Sequence, residues 1–309
     1  MSRLAISFWD WIRLPDLPMQ PATRAEARGL RRFVIQLLHF GWQEALSCVF
    51  AVFIFSMLVV SHGVSFFGLP RYDFLLIACL AMQVLMVASK LETIDELKVI
   101  CVFHLIGIAL EMFKVQMGSW AYPEEAYTKV FNTPLYSGFM YASVASYICQ
   151  AWRRMGLAIT HWPSSWFVVP IGAAIYLNFF THHWIWDVRW FLMLAVVVGF
   201  WRTRVNFTVE SERFQMPLGL SFLLIGFFIW VAENIATFLG AWQYPHQGDG
   251  WRFVHTAKIS SWLLLVIVSI IIVTHLKRIK LAPGARDFGE LHLGVGQSLL
   301  GRNRATRPA

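Results

Sequence analysis

The sequence predicts an all-α polytopic membrane protein of about eight transmembrane helices, arranged as two parallel, pseudo-symmetric four-helix halves. Three observations lead there. Of its 309 residues, 57% are hydrophobic and only 14% are charged, whereas soluble domains carry about 25% charged residues. The apolar residues fall into long runs, most of them near the roughly 20 residues a helix needs to cross the hydrocarbon. Finally, Glu111 to Pro123, EMFKVQMGSWAYP, recurs as Glu233 to Pro245, ENIATFLGAWQYP, with the Glu, Gly, Trp, Tyr and Pro all displaced by 122 positions.

Residues 1–32 read as a cytoplasmic N-terminal tail, 33–152 as the first half, 153–280 as the second half and 281–309 as a cytoplasmic C-terminal tail. The first tail carries Trp9, Trp11, Arg13, Arg24, Arg28, Arg31 and Arg32, a composition open between a segment lying on the membrane surface and a disordered one. No cleavable leader precedes the first apolar run, so span 1 serves as its own insertion signal. Span 1 covers about 33–60 and places Gln36, His39 and Gln43 on one helical face, with Glu44 to the side. Spans 2, 3 and 4 follow at about 72–89, 97–117 and 134–152. Spans 5 and 6, about 166–180 and 188–201, are short and separated by the polar stretch THHWIWD. Spans 7 and 8 cover about 217–239 and 254–275.

Basic residues test this count. With both termini inside the bacterial cytoplasmic membrane, 20 of the 26 Lys and Arg residues fall on the inner side, leaving Arg71, Lys114, Lys129, Arg189, Arg252 and Lys258 outside, as the positive-inside rule requires. Four spans per half give both halves one orientation, so the repeat is a parallel one. The net charge of +8 is scattered through short connections and forms no basic stripe, which excludes nucleic acid as a partner. Cys48, Cys79, Cys101 and Cys149 lie one in each of the first four runs and read as unpaired core residues.

The repeat places a carboxylate inside each half. Glu111 and Glu233 each precede a helix-ending glycine, Gly118 or Gly240, by seven residues, about 10 Å at 1.5 Å per residue. A carboxylate at that depth is neutral, paired or facing a polar cavity. It acts either in a functional site or as a hydrogen-bonded tie between the halves. His104 lies two turns from Glu111 on the same face, and Lys114 one turn away. Trp120, Tyr122, Trp242 and Tyr244 fall at interface depth, where such rings anchor a protein in the bilayer or form a lid whose faces hold a cation. Tyr136 opens span 4. His182, His183 and Asp187, with Asn178, stand at helical i, i+4 spacings between the halves and are weak metal-ligand candidates, open also to a proton relay or a wetted loop. No bound metal is assigned, and no phosphate loop, nucleophile elbow or Cys-x2-Cys pair implies a cofactor.

Over nearly its whole length the chain resembles a YoaT-like family of bacterial integral membrane proteins, a resemblance that implies topology and no chemistry. The duplicated E-x6-G-x-W-x-Y motif is similar to the repeat of the small membrane lycopene cyclases and carotenoid hydratases, which are also built from two similar multi-span halves. In those enzymes a Pro followed by paired acids opens the next helix. Here Pro134-Leu135-Tyr136-Ser137 and Thr256-Ala257-Lys258 stand at those places, without the acids. This second resemblance implies an enzyme that protonates, cyclises or hydrates a C=C bond of an isoprenoid or carotenoid-like lipid. Glu111 and Glu233 would then be proton donor and partner, His104 the orienting group, and Trp120, Tyr122, Trp242, Tyr244 and Tyr136 the walls. A transporter or lipid-binding protein using both glutamates as proton or cation sites is the alternative reading. A scaffold subunit of a membrane complex is the third.

Overall fold

A computed structural model describes residues 25–64, 68–209 and 212–280, and places a helix at every expected span. Span 1 is broken into α1, Ala25–Ser47, and α2, Val49–Val60, which meet at 67°. No Pro or Gly stands at the break. Instead Ser47 turns its hydroxyl back onto the Gln43 carbonyl at 2.8 Å, a side-chain competition with the helix ladder that bends helices. Because α1 starts at Ala25, the arginines Arg31 and Arg32 assigned to a tail are helical. The surface segment expected from Trp9, Trp11 and Arg13, and the tail from 281 onward, lie outside the described residues.

The next helix, α3, spans Arg71–Ala88, and α4 spans Ile94–Gln116. Thr93 and Glu96 cap α4 reciprocally, satisfying two donors that a helix start leaves orphaned. Asp73, in the first turn of α3, accepts the backbone N–H groups of Tyr127 and Thr128 at 2.8 and 2.9 Å, tying the loop after α4 to the start of α3. That loop closes through a small hairpin, β1 (Lys129–Val130) with β2 (Thr133–Pro134). Phe131 and Asn132 take φ values of 49° and 61° there, the paired positive φ of a primed hairpin turn. A single 3-10 turn, Leu135–Ser137, then leads into α5, Gly138–Arg154.

The second part of the chain runs through β3 (Ala158–Thr160), α6 (Ser165–Thr181) and α7 (Arg189–Gly199), then β4 (Arg204–Val209), β5 (Glu212–Pro217), α8 (Leu218–Phe238) and α9 (Lys258–Lys280). Most of the described chain is helical, as expected, but it also holds a small sheet that the all-α reading left out. Strands β3, β4 and β5 form an antiparallel sheet at the end of the bundle where α5 and α7 finish and α8 begins. The alternating segment RVNFTV presents the period of a strand, although as a polar connection between apolar runs it reads as a loop.

Among the described residues α3, α4 and α8 are each long and apolar enough to cross a bilayer alone, and the bent pair α1–α2 is a fourth candidate. At 11 residues, α7 extends only about 17 Å, short of a hydrocarbon core of about 30 Å. Close helix contacts rest on small residues, as in membrane bundles generally: the Tyr141 ring of α5 covers Gly107 of α4, and Gly226 of α8 lies against the Leu263 backbone of α9. Outward faces stay apolar, with Phe191, Leu194, Val198 and Phe228 all exposed. A surface of that kind belongs in lipid, and the chain is a multi-pass integral membrane protein.

Candidate functional site

Both motif copies end their helices in the same way. Gly118 and Gly240 adopt φ of 69° and 71°, the left-handed conformation in which a Cβ is penalised. The Gly118 and Ser119 N–H groups donate back to the Val115 and Lys114 carbonyls, and those of Gly240 and Ala241 to Thr237 and Ala236. Each loop then turns inward, and the two meet: Ala121 and Gln243 pair as an isolated antiparallel bridge. Arg71 closes the assembly. Its guanidinium donates to the carbonyls of Leu239 at 2.6 Å, Gly240 at 3.3 Å and Leu58 at 3.1 Å, and it pairs with Glu124 at 2.7 Å.

Beneath these loops lie the glutamates. Glu111 is 3% exposed and accepts from three donors: Trp120 Nε1 at 2.8 Å, Tyr122 Oη at 2.7 Å and Tyr141 Oη at 2.8 Å. Glu233 accepts from Tyr244 Oη and from Trp262 Nε1, the latter at 2.7 Å. The first motif thus folds its own Trp and Tyr onto its own carboxylate. In the second only the Tyr does so, because Trp242 is packed into the core and Trp262, from α9, supplies the indole.

A cavity of about 120 Å³ opens between α4, α6, α8 and α9 at this end of the bundle. Lys114, Trp120, Tyr141, Glu233, Tyr244 and Lys258 all line it. The Lys258 ammonium sits 5.0 Å from the Trp120 ring centre and 4.6 Å from that of Tyr244, in cation–π contact with both. Lys114, only 6% exposed, meets His182 Nε2 at 3.3 Å and His183 Nε2 at 3.0 Å. His182 Nδ1 lies 2.8 Å from the Asn178 carbonyl, which can only accept, so its Nε2 is the lone-pair nitrogen that receives Lys114. Burial, and then the nearby Lys114 charge, hold the imidazole of His183 below the usual histidine range; burial also lowers that of His182. Asp187 is turned away to Asn178 and Arg189. Burial would raise its carboxyl, but those hydrogen bonds and the guanidinium outweigh it and hold the carboxyl low.

Residues 36–270 match the family described as a protein of unknown function, DUF817. The chain belongs to the DUF817 family. A relative from Bacillus subtilis (strain 168), Uncharacterized protein YoaT, is 61% identical over 249 residues, covering 81% of this chain and 94% of YoaT. Two solved structures have TM-scores of 0.44 and 0.40: a cross-linked MvINS trimer, and MvINS itself, described as a mycobacterial Insig homologue from Mycobacterium vanbaalenii. They are 11% and 14% identical, and cover 62% and 58% of this chain and 97% and 93% of their own.

Of the residues singled out in this DUF817 sequence, Glu233, Trp120, Tyr244, Lys114 and His182 line the cavity, while Glu111, Tyr122 and Trp242 are buried outside its lining. Tyr136 is also internal, stacked on Tyr72 at 5.2 Å and donating to the Ala241 carbonyl at 2.6 Å. The hydrogen-bond partners of Glu111 are Trp120, Tyr122 and Tyr141, and His104 is not among them. Its ring packs 4.6 Å from that of Phe139, and the Tyr141 ring covers Gly107, midway between positions 104 and 111 on that face of α4. His182 and His183 converge on an ammonium, and among the described residues no group of three or more His, Cys, Asp or Glu is arranged to hold a metal ion. Tyr141, Trp262 and Arg189 were not assigned to a site from the sequence. Neither Tyr141 nor Trp262 belongs to the repeated motif, so nothing in the sequence marks them.

Proposed function

We propose that this DUF817 protein is an eight-helix membrane protein of two parallel halves, residues 33–152 and 153–280, with both termini cytoplasmic. Its motif ends face outward, and it binds or carries a small lipid-like molecule in the cavity between Glu233 and Lys258. The position of Lys258 supports this reading over the cyclase-like one. Its ammonium already occupies the faces of Trp120 and Tyr244, where a carbocation intermediate would need to be stabilised. Two unit charges about 5 Å apart repel by about 3 kcal/mol at an effective dielectric of 20. An ammonium and a carboxyl group on the wall of one cavity suit reversible binding, with Glu233 taking up a proton or releasing it to the bound molecule.

Native mass spectrometry of the detergent-extracted protein tests this. The wild type retains a lipid-like species that Glu233→Gln and Lys258→Gln lose. Equal retention by all three proteins overturns the reading.

Protonation of a polyene is the second reading. Glu233 favours it, being a carboxyl on a cavity wall that Leu110, Phe179, Leu265 and Trp262 share. It predicts a new isoprenoid or carotenoid product in cells fed candidate polyenes, absent when Glu233→Gln replaces the wild type. An unchanged product profile in those cells removes it.

A further inference from the structure

The cavity has more hydrogen-bond donors than acceptors. Its wall carries two ammonium groups, Lys114 and Lys258, and one guanidinium, Arg189. Arg189 is paired with Asp187 and reaches Ser261 Oγ at 3.2 Å. Lys114 gives two of its three N–H groups to imidazoles. Among the described residues Lys258 Nζ has no oxygen or nitrogen acceptor, and neither lysine is within ion-pair distance of a carboxylate. The carboxylates nearby are filled from within the protein, Glu233 by Tyr244 and Trp262, and Glu111 by Trp120, Tyr122 and Tyr141. What the cavity lacks is therefore an acceptor, and one carrying charge to match two ammonium groups.

We infer that the cavity is a site for a compact oxyanion, a phosphate or carboxylate group, held by Lys114 and Lys258 with Arg189 at its edge. The group is either free or the head of an amphiphile. At about 120 Å³ the space suits a headgroup and not a whole lipid. The neighbouring turn between α6 and α7 exposes Trp184, Ile185 and Trp186, the last at 91%. Such rings concentrate at headgroup depth in a bilayer, so a ligand with its oxyanion in the cavity has lipid immediately beside it for a tail.

This inference rests on the cavity being a binding site, and the experiment separates the two. Equilibrium binding of radiolabelled inorganic phosphate, dioctanoyl phosphatidic acid and dioctanoylglycerol is measured on the full chain in non-ionic detergent. Phosphatidic acid binds at least tenfold more tightly than dioctanoylglycerol. Lys114→Gln and Lys258→Gln each weaken it about tenfold, and Lys114→Arg and Lys258→Arg restore most of the loss. Lys98→Gln, at the far end of α4, leaves it unchanged. Phosphate binding as tightly as phosphatidic acid identifies a free anion, and weaker phosphate binding identifies an amphiphile. Equal binding of phosphatidic acid and dioctanoylglycerol overturns the oxyanion and leaves the binding site standing. No binding by any probe, with a thermal midpoint that no probe shifts, overturns both.

Discussion

Ala121 and Gln243 exchange both of their backbone hydrogen bonds, at 2.9 Å in each direction. The two loops that carry the repeated W-x-Y therefore lean on one another, and each supplies a hydrogen-bond partner for the other's backbone. Replacing Gln243 by Pro removes the N–H that bonds the Ala121 carbonyl, a hydrogen bond worth about 0.5–1.5 kcal/mol. Thermal unfolding in detergent checks it. A Gln243→Pro midpoint equal to that of wild type would show that the bridge contributes nothing.

Glu111 faces three donors, and their loss separates two substitutions. Glu111→Gln keeps a carbonyl oxygen for Trp120 and Tyr122, and the Tyr141 hydroxyl rotates to accept from the new amide. Glu111→Leu leaves an indole N–H and two phenols buried without acceptors, each worth about 1–3 kcal/mol. We expect Gln to fold with a small loss and Leu to unfold well below wild type. Similar midpoints for the two variants argue that water reaches these donors.

Alanine at the two cap glycines is expected to act unequally. Each substitution forces an L-residue into left-handed backbone, at about 1–2 kcal/mol. A Cβ on Gly118 meets open space, whereas one on Gly240 lies 3.3 Å from Arg71 Nη1, the group that caps the α8 carbonyls. Gly240→Ala therefore falls further in thermal midpoint than Gly118→Ala. Arg71→Lys combined with Gly240→Ala removes the extra cost, since a lysine lacks the fork that holds two carbonyls at once. Equal effects of the two glycine changes contradict this.

His182 and His183 make the pH prediction. Both imidazoles titrate below the usual histidine range in the folded protein, so the unfolded chain binds more protons in the interval below about pH 6.5. Stability is then full above that pH and declines as pH falls towards the folded-state values. Midpoints recorded from pH 7.5 to pH 5 should fall, and the fall should be shallower in the His182→Gln, His183→Gln double variant. Parallel curves for the two proteins refute the assignment.

Helix positions were legible because apolar runs of bilayer length have few alternatives, and Gly118 and Gly240 were legible as caps because only glycine occupies their backbone comfortably. Side-chain partners were not. His104 and Glu111 share a face of α4, but spacing within one helix cannot reveal that Tyr141 arrives from α5 over Gly107. Symmetry misled in the same way for Trp242: the repeat implied that it copies Trp120, yet Trp262 takes the indole's place at Glu233. The sheet was hidden because β3 pairs with β4 from more than forty residues away, beyond any local pattern. The break at Cys48 carried no Pro or Gly to announce it.

That sheet also bears on movement. It joins the ends of α5 and α7 to the start of α8, while the Ala121–Gln243 bridge fastens the opposite end, roughly 30 Å away along the 21 residues of α8. A bundle clasped top and bottom cannot open like a pair of jaws from either end.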